Sequence, residues 1–373
     1  MSNPTTPKSP DLVLVGLTVL LVLGGFLIFS SASLGLLARS GASYTSVAMS
    51  QFLFGVIGGS LGLFIMSNIY YRTWRQFAFY IFGATILLTL AVFIPGLGMT
   101  HGGATRWLDF RFTTVQPAEL LKIGYIIYVA TWLSGTHRHV ESWRYGILPF
   151  VAMTGVTGIV LLLQPDTDTF LITAAAGAAM FIVAGARWRD VAILATAAIL
   201  LLTVVAFMRP YVMDRFMTLF TYEEDRLGSG YQIDQSLIAV GSGGLWGRGY
   251  GQSIQKFEYL PEPIGDSVFA VFAEEFGFVG ATILVLLITG FVFRGLKIAT
   301  HAADLFGTLL VVGLMTVIAL QAFLNVAAMI GLAPVSGLPL PFVSHGGTAL
   351  FTLLCALGIV LNVSKYRVTR SST

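Results

Sequence analysis

The amount of uninterrupted apolar sequence constrains this chain more than any other feature. A helix needs about 20 apolar residues to cross a bilayer, and ten stretches reach or approach that length. They lie near residues 12–33, 46–68, 76–96, 118–134, 145–164, 168–185, 189–208, 267–293, 305–332 and 345–363. Hydrophobic residues make up 56% of the 373 positions, more than a soluble core could bury. The sequence predicts an all-α polytopic membrane protein with about ten transmembrane helices.

The distribution of basic residues predicts the orientation of these spans. One set of short loops and termini holds twelve basic residues and the short loops opposite hold three. Cytoplasmic loops carry the excess of Lys and Arg, so both termini are predicted to be cytoplasmic. The twelve are Lys8, Arg72, Arg75, Arg138, Arg144, Arg187, Arg189, Arg294, Lys297, Lys365, Arg367 and Arg370, and the three are Arg39, Arg106 and Arg111.

A single polar insertion, residues 209–266, interrupts the apolar pattern between spans 7 and 8. It carries 13 of the 39 charged side chains and is predicted to be a large extracytoplasmic loop of one integral membrane domain, 1–373. Its glycine-rich run, 241–251, lacks the Lys-Ser/Thr ending of a nucleotide-binding loop, which favours tight loop packing instead. We expect no nucleotide cofactor.

Several classes of protein are disfavoured by composition. The only cysteine, Cys355, lies in the last apolar span, so neither an intramolecular disulfide nor a cysteine-based metal site is expected. The net charge of +3 is small and offers no case for nucleic-acid binding. The first apolar run has no convincing cleavage site behind it, so it is predicted to be a retained helix rather than a signal peptide.

The end of the insertion contains the strongest candidate for a catalytic group. Pro261 and Pro263 keep the chain extended, Gly265 lets it turn, and Asp266 follows where a helix is predicted to begin. Asp at this position is typical of a helix N-cap. A carboxylate at the rim of an apolar helix, under a long loop, is also where a general base would be placed. Both interpretations remain open from the residues alone.

Other charged residues lie within or beside the apolar spans, where they are costly without a partner or a function. Glu119 and Lys122 lie three residues apart on one helix face and are predicted to pair, with or without lining a polar cavity. Asp166 and Asp168 flank a predicted tight turn and suit capping. Glu274 and Glu275 begin a span, and sequence does not fix their depth.

A long C-terminal pattern carries a family resemblance. Asn325 is followed by Gly331-Leu-Ala-Pro-Val-Ser-Gly-Leu-Pro-Leu-Pro-Phe-Val-Ser-His-Gly-Gly347. This resembles the signature of the SEDS family of cell-wall proteins, which includes FtsW, RodA and SpoVE. The sequence of residues 337–343 slightly favours a resemblance to FtsW. Further matches follow the family order: Gly103-Ala-Thr-Arg-Trp107, Gln116-Pro-Ala-Glu-Leu-Leu-Lys122, Gln164-Pro-Asp166, Gly230-Tyr-Gln232, and Tyr259 through Gly277.

The resemblance implies a peptidoglycan glycosyltransferase that polymerises lipid II outside the bacterial cytoplasmic membrane. Its implied partners are the growing glycan strand, a single-pass class B penicillin-binding protein and other divisome or elongasome membrane proteins. Asp266 matches the family's essential aspartate, Asp166 its Gln-Pro-Asp segment, and Glu119 with Lys122 its ion pair. The expected supporting residues of the cavity are Glu119, Lys122, Asp166, Glu274, Glu275, Ser344 and His345.

This chain departs from the family pattern at a few of these positions. Ala118 replaces Ser, Asp168 stands where Gly is common, and His345 replaces Tyr, Ser or Ala, while Gly265 and Ser267 flank the aspartate in place of Thr and Phe. None of these changes removes a proposed catalytic group. Asp168 and His345 do affect the expected shape of the cavity.

The chemistry implied by the resemblance is an inverting transfer with an undecaprenyl-diphosphate leaving group. It needs a base, assigned to Asp266, and positive charge for the departing diphosphate. Candidates for that charge are Arg106, Arg215, Lys256 and a divalent cation, Mg²⁺ or Mn²⁺. The alternative function is a lipid II flippase, with the Glu119–Lys122 pair on its pathway. A carrier should place key charges near mid-bilayer, whereas the acidic groups here cluster at the outer rim.

Overall fold

Helices make up most of the protein, which we describe from a computed structural model covering residues 7–38, 44–101, 104–109, 114–208, 210–221, 228 and 230–367. Helices α1 to α13 are Leu12–Ser33, Tyr44–Ser50, Gly59–Asn68, Arg72–Leu90, Pro117–Thr136, Leu148–Leu163, Thr167–Val183, Trp188–Met208, Pro210–Thr221, Tyr231–Ser242, Val268–Thr300, Leu305–Met329 and Gly347–Lys365. Short 3₁₀ or π segments lie at Leu34–Ala38, Gln51–Gly58, Ala91–Phe93, His137–His139 and Trp143–Ile147. Every predicted span is occupied by helix.

The apolar character of these helices confirms a polytopic membrane protein. Within the described ranges, seven segments are long and apolar enough to cross a membrane: Leu12–Leu37, Val47–Asn68, Arg72–Phe93, Trp143–Leu163, Val268–Thr300, Leu305–Met329 and Gly347–Lys365. Helix α7 is apolar but shorter, and α5 and α8 occupy the two other predicted positions. The count of ten spans stays a prediction.

A small sheet and two helices in the insertion were not predicted. A small antiparallel sheet, Gly98–His101, Ala104–Asp109 and Thr114–Val115 (β1 to β3 in that order), lies between α4 and α5. Met99 pairs with Trp107, and Leu108 pairs with Val115. The predicted loop 209–266 contains the helices α9 and α10. Sequence periodicity over such short segments is too brief to predict either element.

Some of the predicted positions lie outside the described residues. They are the basic residues Arg39, Arg111 and Arg370 of the charge count, the first residue of the insertion, Arg209, and Gly103 of the resemblance. The predicted orientation of the termini therefore stays a prediction.

Helices α12 and α13 form the centre of the bundle. Helix α12 packs against α5, α7, α11 and α13, while α13 also packs closely against α3. Small residues allow that approach, because a Cβ added at Gly62 would lie 2.5 Å from the sulfur of Cys355. The core therefore lies beside the C-terminal helices, whereas large apolar side chains on α1, α4 and α8 face outward.

Helix α11 is broken at Gly277, where the glycine-rich run packs into the gap. Gly277 has φ 66° and ψ −168°, a conformation available essentially to glycine alone. The amide of Phe278 donates to the carbonyl of Gly244 at 2.9 Å, and the amide of Gly249 donates to that of Glu275 at 2.9 Å. Residues 241–251 thus supply the hydrogen bonds that the break removes from the helix, as the tight-packing interpretation predicted.

We expect Gly277→Ala to destabilise the protein by about 1–3 kcal/mol, because alanine is strained at this φ and ψ and its Cβ would collide with the backbone of Gly247. Gly290→Ala is the matched control in the same helix, since no atom lies within 4 Å of the added Cβ. Thermal unfolding in detergent should show a lower melting temperature for the first variant only. Equal melting temperatures for both variants would contradict this account of the break.

Candidate active site

The backbone around Asp266 is held by buried polar side chains from the C-terminal third of the chain. The amide nitrogen of Asn325 on α12 donates to the carbonyls of Asp266 and Leu338, each at 2.8 Å. The hydroxyl of Ser344 donates to the carbonyl of Gly265 at 2.7 Å. These bonds satisfy backbone groups that would otherwise be costly to bury. They fix the position of Asp266 from two elements.

Asp266 does not cap helix α11. The N-cap is Ser267, and its side chain makes no capping hydrogen bond. Ser267 instead accepts a hydrogen bond from Gln232 of α10 at 3.1 Å. The capping interpretation of Asp266 is therefore wrong, and its carboxylate is left available for chemistry.

The carboxylate of Asp266 lies beside a sharp turn in the segment that follows α12. The Cβ position of Gly337, which has φ +64°, is 3.6 Å from its Oδ2 atom. Burial among protein atoms and, to a smaller extent, the charge of Glu262 raise the pKa of Asp266 to about 6, although Arg215 and Arg106 oppose the shift. A carboxyl group with this pKa is well matched to general-base chemistry near neutral pH.

Arg106 and Arg215 lie at the same end of the bundle as Asp266. The guanidinium of Arg106, on β2, donates to the carbonyl of Gln164 at 3.1 Å and to that of Pro165. Arg215 on α9 forms an ion pair with Asp168 at 2.7 Å. Both charges act on Asp266. The structure thus brings the two predicted arginines to the candidate base.

Only one of the two carboxylate oxygens of Asp166 has a structural role among the described residues. Its Oδ1 accepts a hydrogen bond from the amide of Thr169 at 3.3 Å, which confirms it as the N-cap of α7. Its Oδ2 is buried and has no hydrogen-bond partner among the described residues. Such an atom normally has a ligand or a function.

The predicted pair of Glu119 and Lys122 is confirmed and extends into a chain of buried polar groups. The ammonium of Lys122 lies 2.8 Å from Glu119 and donates to Gln321 of α12 at 3.0 Å. Gln321 in turn donates to the carbonyl of Pro339 at 3.0 Å. The ion pair therefore supports the segment that also carries Gly337.

A cavity with a volume of about 50 Å³ lies around this polar chain. Its lining includes Glu119, Lys122, Gln321, Ser344 and Pro341, together with apolar side chains of α5, α12 and α13. Ser344 joins the cavity to the Asp266 loop through its bond to Gly265. A side-chain hydrogen bond therefore connects the cavity to the residue before the candidate base.

His345 supports the same loop through its backbone. Its amide donates to the carbonyl of Ile264 at 2.7 Å, and its ring stacks on Phe29 with centroids 5.9 Å apart. The imidazole is not hydrogen-bonded to Asp266 in the described structure. Its departure from the family pattern thus leaves the candidate base unobstructed.

Glu274, Glu275 and Lys256 form a separate buried cluster. Lys256 is 0% exposed, and its ammonium lies 2.7 Å from Glu275, 3.1 Å from Ser31 and 2.9 Å from the carbonyl of Gly251. Glu274 accepts from the hydroxyl of Ser253 at 2.5 Å. The cluster fixes the insertion to α1 and α11, and we therefore remove Lys256 from the candidates for diphosphate binding.

Sequence reasoning missed two residues of this site, Gln321 and Gly337. Gln321 lies four residues before Asn325 and so on the same face of α12. Two amides on one face of an apolar helix are a detectable signal of a polar contact. No comparable signal identifies Gly337, because its role depends on which carboxylate lies beside it.

The described residues contain no group of three His, Cys, Asp or Glu side chains that could hold a metal ion by themselves. Mg²⁺ usually keeps several waters and is bound through one or two carboxylates and substrate phosphates. The unpartnered Oδ2 of Asp166 fits that mode of binding. A divalent cation carried by a diphosphate is compatible with this carboxylate.

We expect Asp266→Asn to gain stability relative to the wild type as the pH rises. The folded-state pKa of about 6 lies above the ordinary 3.8, so the fold favours the protonated carboxyl. That stabilisation is complete below about pH 3.8 and is lost as the pH rises through about 6. Asparagine, which stays neutral, does not lose it. The gain at neutral pH should be on the order of 1 kcal/mol, because Asp266 keeps part of its surface in solvent.

The measurement is the melting temperature in detergent at several values between about pH 5 and 8. Glu258→Gln, an exposed carboxyl of the same insertion, is the matched control. The difference in melting temperature between Glu258→Gln and the wild type should not grow with pH. An Asp266→Asn protein that loses stability relative to wild type as the pH rises would show that the carboxylate is stabilised in the fold.

Comparison with known proteins gives concordant matches along nearly the whole chain. The family model of cell cycle proteins named for FtsW, RodA and SpoVE matches residues 11–369. Stage V sporulation protein E of Bacillus subtilis (strain 168) is 38% identical over 363 residues, covering 97% of this chain and 99% of that protein. The probable peptidoglycan glycosyltransferase FtsW of Geobacter sp. (strain M18) is 33% identical, covering 95% of this chain and 96% of that protein.

A solved structure gives the same result for the fold. It is one chain of a peptidoglycan synthase complex in which polymerization and crosslinking are coordinated. The TM-score is 0.79 and the sequence identity 27%, and the match covers 95% of this chain and 97% of that chain. The agreement in sequence and in three dimensions extends across both the bundle and the insertion.

Proposed function

The chain belongs to the FtsW, RodA and SpoVE family of cell cycle proteins, and on that premise we propose that it polymerises lipid II into glycan strands at the outer face of the cytoplasmic membrane. It is a multi-pass membrane protein with a peptidoglycan glycosyltransferase role in cell-wall synthesis. The strands would serve cell division or elongation. The observation that carries the detailed proposal is the fixed, uncapped Asp266 with its raised pKa.

Asp266 acts as the general base. The 4-hydroxyl of an incoming lipid II sugar attacks C1 of the sugar at the reducing end of the growing strand. The new C4–O–C1 bond forms, the bond from C1 to the diphosphate oxygen breaks, and the configuration at C1 inverts. Undecaprenyl diphosphate leaves with the electron pair, and the hydroxyl proton passes to Asp266. A base with a pKa of about 6 is ionised at neutral pH and still accepts a proton efficiently.

The developing charge on the diphosphate is met by Arg106 and Arg215. Both arginines act electrostatically on Asp266, so both are close enough to influence the reacting groups. Arg215 remains balanced by Asp168 in the absence of substrate. A divalent cation, Mg²⁺ or Mn²⁺, would add positive charge through the diphosphate itself, with Asp166 as the residue that would hold it.

The cavity beside Lys122 would accommodate an uncharged or weakly polar part of the substrate. Its walls are mostly aliphatic, and its charged members, Glu119 and Lys122, neutralise each other. The pair thus shapes the segment 337–344 without supplying net charge. This is a supporting role for the reaction and needs no passage of lipid II across the membrane.

A penicillin-binding protein is the partner we propose. The matching structure is a peptidoglycan synthase complex that couples polymerization with crosslinking. A strand polymerised at the outer end of this bundle requires crosslinking by a separate active site. A single-pass class B penicillin-binding protein supplies one on the same side of the membrane.

We expect Asp266→Asn and Asp266→Ala to abolish glycan-strand formation, since neither side chain accepts a proton. The assay uses purified full-length protein with its cognate penicillin-binding partner and lipid II, and it resolves strand length on a gel. The wild-type rate should rise with pH through about 6, the pKa of Asp266. Glu258→Gln, from the same loop, should polymerise normally.

The alternative function is tested with the same proteins in vesicles. Strands made by Asp266→Asn at the wild-type rate would remove the assigned base. If no protein formed strands while lipid II exchanged between leaflets, the flippase would replace the polymerase.

We expect Arg215→Gln to lower kcat by about 100-fold, the usual cost of removing one donor to a developing negative charge. Asp168→Asn should have a much smaller effect, because it breaks the same ion pair but leaves the guanidinium in place. The comparison separates charge stabilisation from a structural role of the ion pair. Similar losses of kcat in both variants would mean that Arg215 matters only through Asp168.

A further inference from the structure

A second polar cavity lies at the opposite end of α11 from Asp266. It has a volume of about 160 Å³ and is lined by Asp11, Arg294, Lys297, Ile298, His301, Ser364 and Arg367. The segment from Phe278 to Arg294 rises about 24 Å at ~1.5 Å per residue, close to the thickness of a bilayer core. The cavity is therefore separate from the candidate active site.

The charges around this cavity do not cancel. Asp11 caps α1 by accepting from the amide of Leu14 at 2.9 Å, and both of its oxygens also accept from Arg294, at 2.9 and 2.7 Å. The negative charge of Asp11 is therefore neutralised by the guanidinium of Arg294. Lys297 and Arg367 remain, and Arg367 approaches Asp11 only to 3.8 Å. The lining carries two more positive than negative charges.

The carboxylate of Asp304, three residues after His301, is already paired with Arg72 at 2.6 Å. Within the described residues, the ammonium of Lys297 has no ion pair, and the segments 1–6 and 368–373 contain no Asp or Glu. The hydroxyl of Ser364 and the ring of His301 provide further polar surface. A compact anion with several acceptor oxygens matches this set of donors.

We propose that this cavity binds a phosphate group, that of an anionic phospholipid headgroup in the leaflet nearest to it. Basic pockets between membrane helices are suited to such headgroups. Arg294 is held in place by Asp11 and presents a preorganised guanidinium, whereas Lys297 and Arg367 supply the net charge. Bound phosphate ties together the start of α1 and the ends of α11 and α13, the elements that carry the lining residues.

The test compares a double variant with a matched control. Lys297→Gln with Arg367→Gln removes two positive charges from the cavity and leaves the Asp11–Arg294 pair intact. Arg138→Gln with Arg189→Gln removes two exposed charges from other loops of the same predicted side. The full-length protein is reconstituted in nanodiscs of mixed phosphatidylglycerol and phosphatidylcholine, and the lipids that remain bound after transfer to detergent are measured. Inorganic phosphate is titrated separately in detergent.

We expect wild type and the control to retain phosphatidylglycerol over phosphatidylcholine, and the double variant to bind it about 10- to 30-fold more weakly. Lys297→Arg with Arg367→Lys, which keeps the charge, should restore binding and shows that a loss is not due to misfolding. If wild type and the control bound inorganic phosphate saturably and the double variant did not, the phosphate site would be supported, with soluble phosphate as its ligand. Equal losses in the control, or none in the double variant, would overturn the proposal.

Discussion

A single buried amide, Asn325, constrains the site more than any other interaction. It is 1% exposed in the middle of an apolar bundle, so its donors must find acceptors within the protein. They find the carbonyls of Asp266 and Leu338, which belong to two irregular segments, one before α11 and one after α12. Since a buried N–H group without an acceptor is costly, the two bonds of the Asn325 nitrogen fix both segments relative to the helix. The position of the candidate base follows from this requirement.

Irregular backbone near a membrane needs such support throughout this protein. The glycine-rich run forms hydrogen bonds with the backbone on both sides of the break at Gly277. The loop that follows this run is held to α11 by the buried ion pair of Lys256 and Glu275. Non-helical backbone at membrane depth is tolerated only where protein or a cavity satisfies it. The buried charges of Lys256, Glu274 and Glu275 are thus explained by structure, whereas no ion pair within the described residues holds the carboxylate of Asp266.

The electrostatics of the two ends of the bundle differ in a way that suits different ligands. The Asp266 end contains both acidic and basic groups, and Arg215 forms an ion pair with Asp168 there. A substrate that carries both a hydroxyl to be deprotonated and a diphosphate can use both kinds of group. At the other end, the charge of Lys297 is not balanced within the described residues. That end suits a resident anion rather than a reaction.

The sequence by itself determined the class of the protein and most of its candidate site. Runs of apolar residues long enough to span a bilayer have no other stable environment, and the signature from Asn325 to Gly347 indicated the family. The pair of Glu119 and Lys122 was predictable because residues three apart share a helix face. Only the tertiary structure decided which charges are structural. Lys256 and Arg215 look alike in the sequence, yet Lys256 is enclosed by the Glu275 cluster, whereas Arg215 acts electrostatically on Asp266. Their difference depends on contacts between segments far apart in the chain, and the energy of such contacts has no local pattern in the sequence.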